Sequence, residues 1–507
     1  MNPTTTPDAL AGASAGAGPR LPTIIQGGMG VSISDWRLAR AVSMTGQLGV
    51  VSGTAIDVVI ARRLQDGDPH GDVRRALAAF PVPAMARRIM RKWYIHGGRD
   101  RGTPYAAVPR YTVTPSTPLA ELTVVAAFCE VWLAKEGHPG KVGINLLRKI
   151  DMPIPFALLG AMLAGVDYVL VGAGNPAELP GLMRGLAGGA EVHLPLRVQG
   201  LRSGDDEVSV RCSPSELLAE RPDLLGSLRE PRFLAIVAST DLAEGLAENP
   251  VTRPFGFVVE GPSAGGHNAP PRGPRRVDDR GQPVYDDRDR PDLEVLRDLG
   301  LPFWLAGAYG APDAVGRALA AGAQGVQVGT AFAYSAESGM ATHLKAAVLD
   351  RVRAGSLDVR SDWRVSPTGF PFRVVELEGS LSDPAVAAAR TAVCDLGALR
   401  SPFRNAKGRI DYRCPAEPLA MYERKGGRAA NAEGRRCLCN ALLATAGLPQ
   451  VRPDGAVEPA LVTSGSDFAA VTELARNGTY SAADLIEYLL NPRAAELVGA
   501  GTLHRSI

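Results

Sequence analysis

The sequence predicts an α/β chain built on a TIM (β/α)8 barrel with helical insertions and a C-terminal extension of loops and helices. Three observations predict it: eight short apolar runs, helix-like segments between them, and small residues, mostly glycine, closing nearly every run. Apolar runs of this length suit strands buried on both faces, as in a parallel sheet, and a parallel strand must be reached by a crossover that a helix supplies. A doubly wound open sheet is the alternative, but there glycine gathers mainly at one switch point.

In order, "TIIQGGMG" (23–30) leads through the helical pattern "DWRLARAVSMTG" (35–46) to "LGVVSG" (48–53). The later runs are "KVGINLL" (141–147), "VDYVLVGAG" (166–174), "RFLAIVAS" (232–239), "FGFVVEG" (255–261), "PFWLAGAYG" (302–310) and "AQGVQVGTAF" (323–332). Two stretches fall outside this repeat. Residues 54–140 carry several helical patterns, and residues 191–213 alternate on both sides of "LRSGDD" as a hairpin does. Both are expected to cover the barrel mouth. From about residue 340 the texture turns helical, becomes loop-rich over 395–440, and closes on "SAADLIEYLLNPRAAELVG" (481–499) with Ser481 as the expected cap. The expected layout is a flexible tail over 1–20, a barrel over 21–340 and an extension or cap over 341–507. No period of 20 to 50 residues recurs, which excludes a solenoid.

Of 507 residues 45% are apolar and 21% charged, enough to bury a sizeable core. The formal charge of +2 gives no general footprint for nucleic acid or an anionic membrane, so the expected partners are small molecules, with a homo-oligomer left open. The first twenty residues lack the basic-then-apolar order of a secretory signal, and no apolar run approaches the roughly 20 residues of a membrane-spanning helix. A cytoplasmic location is the expectation. Six cysteines form no disulfide framework, yet Cys394, Cys414, Cys437 and Cys439 lie close in sequence. Four thiolates are the right number for zinc or an iron–sulfur cluster, although the spacing lacks the usual CxxC pairs; the alternative is reduced thiols packing a cap.

Candidate chemistry sits at the strand ends. "AGAYG" (306–310) and "VGTAF" (328–332) follow the seventh and eighth strands, where barrels commonly hold phosphate on backbone N–H groups. Gly307, Ala308, Gly329 and Thr330 are therefore candidate phosphate ligands, with plain strand-to-helix turns as the alternative. Gly27, Gly28, Met29 and Gly30 after the first strand let a flat ring lie on backbone, with Met29 as a soft apolar contact. They lack the context of a dinucleotide fingerprint. Asn145 ends an apolar strand, either to serve the edge of a heteroaromatic ring or to cap a turn. Finally, "EGPSAGGHNAPPRG" (260–273) breaks a strand into Gly261, Gly265 and Gly266 and presents His267, one of only seven histidines.

These motifs, in this order, resemble the nitronate monooxygenases, formerly called 2-nitropropane dioxygenases. The pattern is shared by flavin-dependent enoyl-ACP reductases and by the enoyl reductases of polyunsaturated fatty acid synthases. The resemblance spans residues 21–340 and is strongest at Glu260–His267 and Ala323–Phe332. It implies a barrel holding non-covalent FMN, with phosphate on Gly307, Ala308, Gly329 and Thr330 and the isoalloxazine near Gly28, Met29 and Asn145. Gly265 and Gly266 would admit the backbone to the cofactor. His267 would be the catalytic residue at the flavin's reactive face, an imidazole titrating near neutrality that takes a proton or holds an anion. The implied reaction oxidises an alkyl nitronate with O2 to a carbonyl compound and nitrite. The alternative on the same scaffold is NAD(P)H-dependent reduction of an enoyl thioester. Two further classes stay open, an IMP-dehydrogenase-like phosphate-binding barrel and a scaffold using its C-terminal cap as an interface. The chain departs from the resemblance after His267, where Pro270 and Pro271 stiffen a charged loop. Arg272, Arg275 and Arg276 there either recognise an anionic substrate group or belong to a solvated loop.

Overall fold

Each of the eight apolar runs forms a strand in the computed structural model, which describes residues 21–202, 204–476 and 478–491. The expected tail over 1–20 and the end of the last helical pattern lie outside the described residues. The strands are β1 (Ile24–Gln26), β2 (Gly49–Ser52), β3 (Val142–Leu147), β4 (Tyr168–Gly172), β5 (Arg232–Val237), β6 (Gly256–Glu260), β7 (Phe303–Ala306) and β8 (Gly325–Val328). They pair in parallel in the order β1-β8-β7-β6-β5-β4-β3-β2. The ring closes between β1 and β2, where Ile25 bridges Leu48 and the Gln26 N–H donates to the Leu48 carbonyl at 2.9 Å. Sequential order with closure is a barrel, and it rules out the open sheet.

Gln26 completes that seam with its side chain. Fully buried, it accepts the Val50 N–H on Oε1 at 3.0 Å and donates from Nε2 to the Val50 carbonyl at 3.1 Å, replacing ladder bonds that the short β1 cannot supply. Successive strand residues point alternately to two apolar clusters, which is why the runs are apolar throughout. Ile25, Val50, Leu170, Leu234, Val258 and Trp304 fill the barrel interior, while their neighbours pack outward on the helices. The Trp304 indole donates to the Pro22 carbonyl at 2.8 Å and seals the end opposite the mouth.

The helical layer comprises α1 (Trp36–Met44), α2 (Thr117–Lys135), α3 (Ile154–Leu163), α4 (Leu179–Ala187), α5 (Thr240–Glu248), α6 (Leu293–Asp298), α7 (Pro312–Ala320) and α8 (Ala482–Leu490). Asp35 caps α1 by accepting the Arg37 and Leu38 N–H groups, and Ser481 caps α8 in a reciprocal box with Asp484. The expectation that no apolar run approaches spanning length is corrected by α2. Its 19 residues are long and apolar enough to cross a membrane, but 83% of its apolar window is buried, against α1, α3 and the helices that precede it. A helix apolar on every side and packed on every side is a core helix.

The expectation that residues 54–140 cover the mouth is corrected as well. Helices Ile56–Gln65, Asp72–Ala79 and Pro83–Trp93 pack on α2 at the side of the barrel, and only Thr54 and Ala55 reach the mouth cavity. Residues 191–213 form the expected hairpin, Val192–Pro195 with Ser209–Cys212, and bring Arg197 and Gln199 to the outer part of the mouth. The main cover comes from the extension. Its strand Phe372–Val375 pairs antiparallel with Val359–Asp362 on one side and with Gly266–His267 on the other. The extension then returns α8 to pack against both α1 and α7, closing the helical layer after β8. The boundary expected at residue 340 therefore divides elements that pack together.

Gln26→Leu leaves the Val50 N–H and carbonyl unpaired at the seam. It should lower stability by about 2 kcal/mol, read as a lower thermal midpoint with unchanged secondary structure.

Candidate active site

At the C-terminal ends of the strands lies a cavity of about 270 Å³ that gathers the candidate cofactor-binding residues and His267. Gly27, Gly28 and Met29 enter from the loop after β1 and Asn145 from β3; Gly265, Gly266 and His267 follow β6. Gly307 and Ala308 follow β7, and Gly329 and Thr330 follow β8. Close approach explains the first glycine pair: a Cβ on Gly28 would lie 2.1 Å from the Asn145 Cβ. Gly265 packs closely on the extension, where an added Cβ would meet the Gly465 nitrogen at 2.8 Å.

Backbone strain concentrates here. Of the five non-glycine residues with positive φ among the described residues, Ala55, Ala173 and Ala308 line the cavity, with φ of 51°, 61° and 59°. Each costs of order 1–2 kcal/mol in the left-handed region, so three at one mouth mark a place where geometry is held against local preference. Next to Ala308, Gly307 has φ 90°, and both residues line the cavity. The side chain of Gln327 on β8 also faces the cavity, and its buried Oε1 has no hydrogen-bond partner.

A segment of the extension, Thr463–Asp467, crosses these loops and is stitched to them. The Gly266 N–H donates to Thr463 Oγ1 at 2.9 Å, and the Gly465 N–H donates to Thr330 Oγ1 at 2.9 Å. The Gly310 N–H donates to Asp467 Oδ2 at 3.0 Å, and the Ser466 N–H donates to the Ser263 carbonyl at 3.1 Å. One strap thus sets the spacing between the glycine–histidine loop and the loops after β7 and β8.

His267 is fixed from the same side. Its ring meets Phe372 edge-on, with centroids 4.8 Å apart, and its Nε2 is hydrogen-bonded to Ser366 Oγ at 2.6 Å. Ser366 in turn bonds Thr368 Oγ1 at 2.8 Å. Burial, then the positive charge of Lys149, pushes the imidazole down to about 3. The expected titration near neutrality is therefore not what the site gives: His267 stays neutral, a hydrogen-bonding group rather than a ready proton acceptor. Glu260 moves the opposite way, up to about 7, because burial is opposed by no neighbour. Its side chain is half-buried and lines both this cavity and an outer one, and it has no hydrogen-bond or ion-pair partner among the described residues.

Beyond His267 and Glu260 opens an outer chamber of about 520 Å³, which shares Ala173, Ile236, Glu260, His267 and Leu399 with the inner cavity. The inner cavity is walled mainly by glycines and apolar side chains, with Asn145, Gln327, Glu260 and His267 among them. The outer one brings together Lys149, Arg197 and Arg272 with Asp151 and Asp289. Lys149 lies 3.2 Å from the Phe370 ring centroid and is pushed down to about 8 by burial and by the like charge of Arg197. Asp151 is raised to about 6 by burial. Of the three arginines singled out after His267, only Arg272 faces this chamber; Arg275 stacks on Trp363 and Arg276 pairs with Asp286.

No family model and no curated protein matches the sequence. Solved structures similar to this chain include FabK from Thermotoga maritima, at 16% identity over 95% of this chain and 96% of that chain with a TM-score of 0.46. The nitroalkane oxidase from Streptomyces ansochromogenes is 15% identical over 95% and 97%, with a TM-score of 0.40. The enoyl reductase domain of MlnA from the macrolactin biosynthesis cluster of Bacillus amyloliquefaciens is 11% identical over 95% of each chain, with a TM-score of 0.44.

The four C-terminal cysteines are free thiols, Cys414 and Cys437 buried and Cys394 and Cys439 partly so. Among the described residues no group of three or more His, Cys, Asp or Glu side chains is placed to hold a metal ion. Cys439 instead joins the cavity wall. Sequence reasoning missed Thr463, Gly465, Asp467, Ser366 and Phe372, and did not single out Glu260 as a site residue. The small-residue run "TSGSD" (463–467) between apolar residues was the available signal for the strap.

In the ligand-free protein the raised Glu260 costs stability as pH rises. The folded state keeps a proton that the unfolded chain releases, so the penalty is absent below the ordinary glutamate range, grows through it and is complete above about 7. Glu260→Gln should therefore melt higher than wild type at pH 8, by roughly 1–3 kcal/mol in stability, and lose that advantage near pH 4, as scanning calorimetry at both pH values would show.

Proposed function

We propose that this protein is an FMN-dependent oxidoreductase that oxidises alkyl nitronates with O2 to carbonyl compounds and nitrite. The observation that carries the reading is the meeting, in one cavity, of a strained turn at Gly307–Ala308, the glycine loop against Asn145, and His267 beside Glu260. The resemblance of the glycine and histidine motifs to the nitronate monooxygenases supports it.

The residues present fit FMN. Gly307, Ala308 and Gly329 line the cavity at the ends of β7 and β8, where the backbone N–H groups of small residues can hold a phosphate. Thr330 accepts the Gly465 N–H on its Oγ1, which leaves its O–H to donate to a phosphate oxygen. Gly27, Gly28, Met29 and Asn145 would bear one side of a flat ring, and the unpartnered Gln327 Oε1 offers an acceptor for a ring N–H. When bound, FMN supplies the redox chemistry, taking electrons from the substrate and passing them to O2.

The chain's own part is placement and electrostatics. Phe372 and Ser366 hold the His267 imidazole oriented, so that it can hydrogen-bond a nitro or nitronate oxygen. Lys149 supplies positive charge near His267, which favours an anion there. The strap and the apolar residues of the extension, Leu399 and Leu442 among them, restrict water at the inner cavity.

The second reading is reduction of an enoyl thioester with NAD(P)H. The observation that favours it is the outer chamber, whose 520 Å³ and basic side chains exceed what a small nitronate needs.

The test is anaerobic mixing of the flavin-loaded protein with an alkyl nitronate and, separately, with NADPH, following flavin absorbance. The nitronate is expected to bleach the flavin band while NADPH leaves it unchanged; the reverse pattern would replace the first reading with the second. Gly28→Ala, which drives a methyl group into Asn145, should abolish retention of FMN through gel filtration, checked by the absorbance of the eluted protein.

A further inference from the structure

The loop 394–400 of the extension leads directly into the wall of the mouth. Ala398 and Leu399 line the inner cavity, and Leu399, Arg400, Ser401 and Pro402 line the outer chamber. The strand Ser401–Arg404 that follows pairs antiparallel with Ile410–Arg413, with Ser401 opposite Arg413. Cys414 therefore lies at the open end of this hairpin, on the side from which the loop beginning at Cys394 enters. Both cysteines sit on fixed backbone. The Cys414 N–H donates to Glu417 Oε1 at 3.3 Å, and Glu417 pairs with Lys425 at 2.7 Å. Arg110 Nη1 donates to the Cys394 carbonyl at 3.1 Å, and the next residue, Asp395, is held by Arg452 and by Asn440 Nδ2, each at 2.7 Å.

The other two sulfurs of the extension have partners of a different kind. Cys437 Sγ accepts from Asn440 Nδ2 at 3.6 Å, and Cys439 accepts from the backbone N–H groups of Ala398 and Leu399. Cys394 and Cys414 instead hydrogen-bond to each other, thiol to thiol. Cys414 is buried and donates, while Cys394 is half-buried and accepts. That shared bond is the main reason why Cys394 is held down to about 7 and Cys414 is pushed up; Arg400 and Arg110 also favour the Cys394 thiolate, against burial and Glu417. Burial raises the remaining thiols, Cys129, Cys212, Cys437 and Cys439. A partly exposed thiolate near two guanidinium groups, with a second thiol already in contact, is the arrangement of a reacting and a resolving cysteine.

We propose that Cys394 and Cys414 are a site of reversible oxidation by hydrogen peroxide, at which Cys394 reacts first and Cys414 resolves it to a disulfide. The Cys394 thiolate attacks one peroxide oxygen: an S–O bond forms, the O–O bond breaks, and hydroxide leaves to take up a proton as water. The Cys414 sulfur then attacks the Cys394 sulfur. The S–S bond forms, the S–O bond breaks, and the hydroxyl departs with the Cys414 proton as a second water. Two electrons pass from the sulfurs to the peroxide, and a dithiol reductant restores both thiols. The disulfide links the loop that leads into the mouth wall to the open end of the hairpin, whichever substrate the barrel takes.

The experiment uses the full chain, reduced with dithiothreitol, desalted and exposed to hydrogen peroxide, followed by thiol counting and peptide mapping by mass spectrometry. Two of the six thiols should be lost, in one peptide pair joined through Cys394 and Cys414 and reopened by dithiothreitol. Cys394→Ser should slow thiol loss roughly tenfold or more, whereas Cys414→Ser should leave on Cys394 a sulfenic acid that dimedone traps. Cys437→Ser and Cys439→Ser should each still form the Cys394–Cys414 bond. A disulfide between other cysteines, or no thiol loss at a peroxide concentration that oxidises free cysteine, would overturn the proposal. So would zinc or iron retained by the reduced wild type and lost from Cys414→Ser, because thiolates bound to a metal are not free to pair. The wild-type peptide map and metal content decide the matter even where a variant fails to fold.

Discussion

The pairing of Gly266–His267 with Phe372–Arg373 is the constraint on which the site depends. It turns the loop after β6 into the edge of a small antiparallel sheet and so fixes where His267, the only histidine at the mouth among the described residues, can point. The same contact brings Ser366 to the imidazole and, through Thr463, brings the strap across the loops after β7 and β8. The extension is therefore part of the site, supplying its walls and the hydrogen bonds that orient His267, while the barrel supplies the rigid rim.

From this enclosure follows the electrostatic character of the site. Burial acts in opposite directions on an acid and a base: Glu260 rises toward neutrality and His267 falls far below it. Lys149 adds to the second effect and, repelled by Arg197, leaves the outer chamber with positive charge that Asp151 only partly offsets. Two adjoining spaces of contrasting character result, one smooth and suited to a ring lying on backbone, the other charged and suited to an anion. His267 and Glu260 stand between them.

Much of this was legible in the sequence, because barrel strands carry a strong local signal. All eight runs became strands in chain order, and the glycine motifs at their ends meet in one cavity since every βα loop of a barrel opens on the same face. What stayed hidden depends on contacts distant in sequence. That α8 closes the helical layer, and that Thr463–Asp467 lies on the loop at Gly266, cannot be read from periodicity, which reports only neighbours a few residues apart. The 54–140 stretch misled for a related reason: helical patterns reveal an amphipathic or apolar helix but not whether it packs on a barrel's side or its mouth. The imidazole of His267 misled because its proton affinity is set by burial and then by Lys149, both supplied by other segments.

The measurement that bears most directly on the account is a crystal structure of the full chain grown with FMN. The account predicts the flavin in the inner cavity, its phosphate within hydrogen-bonding distance of the Ala308 and Gly329 N–H groups, one ring face on Gly28 and Asn145, and His267 and Glu260 at the opposite face. A flavin bound elsewhere, or an inner cavity without flavin at saturating FMN, would contradict it.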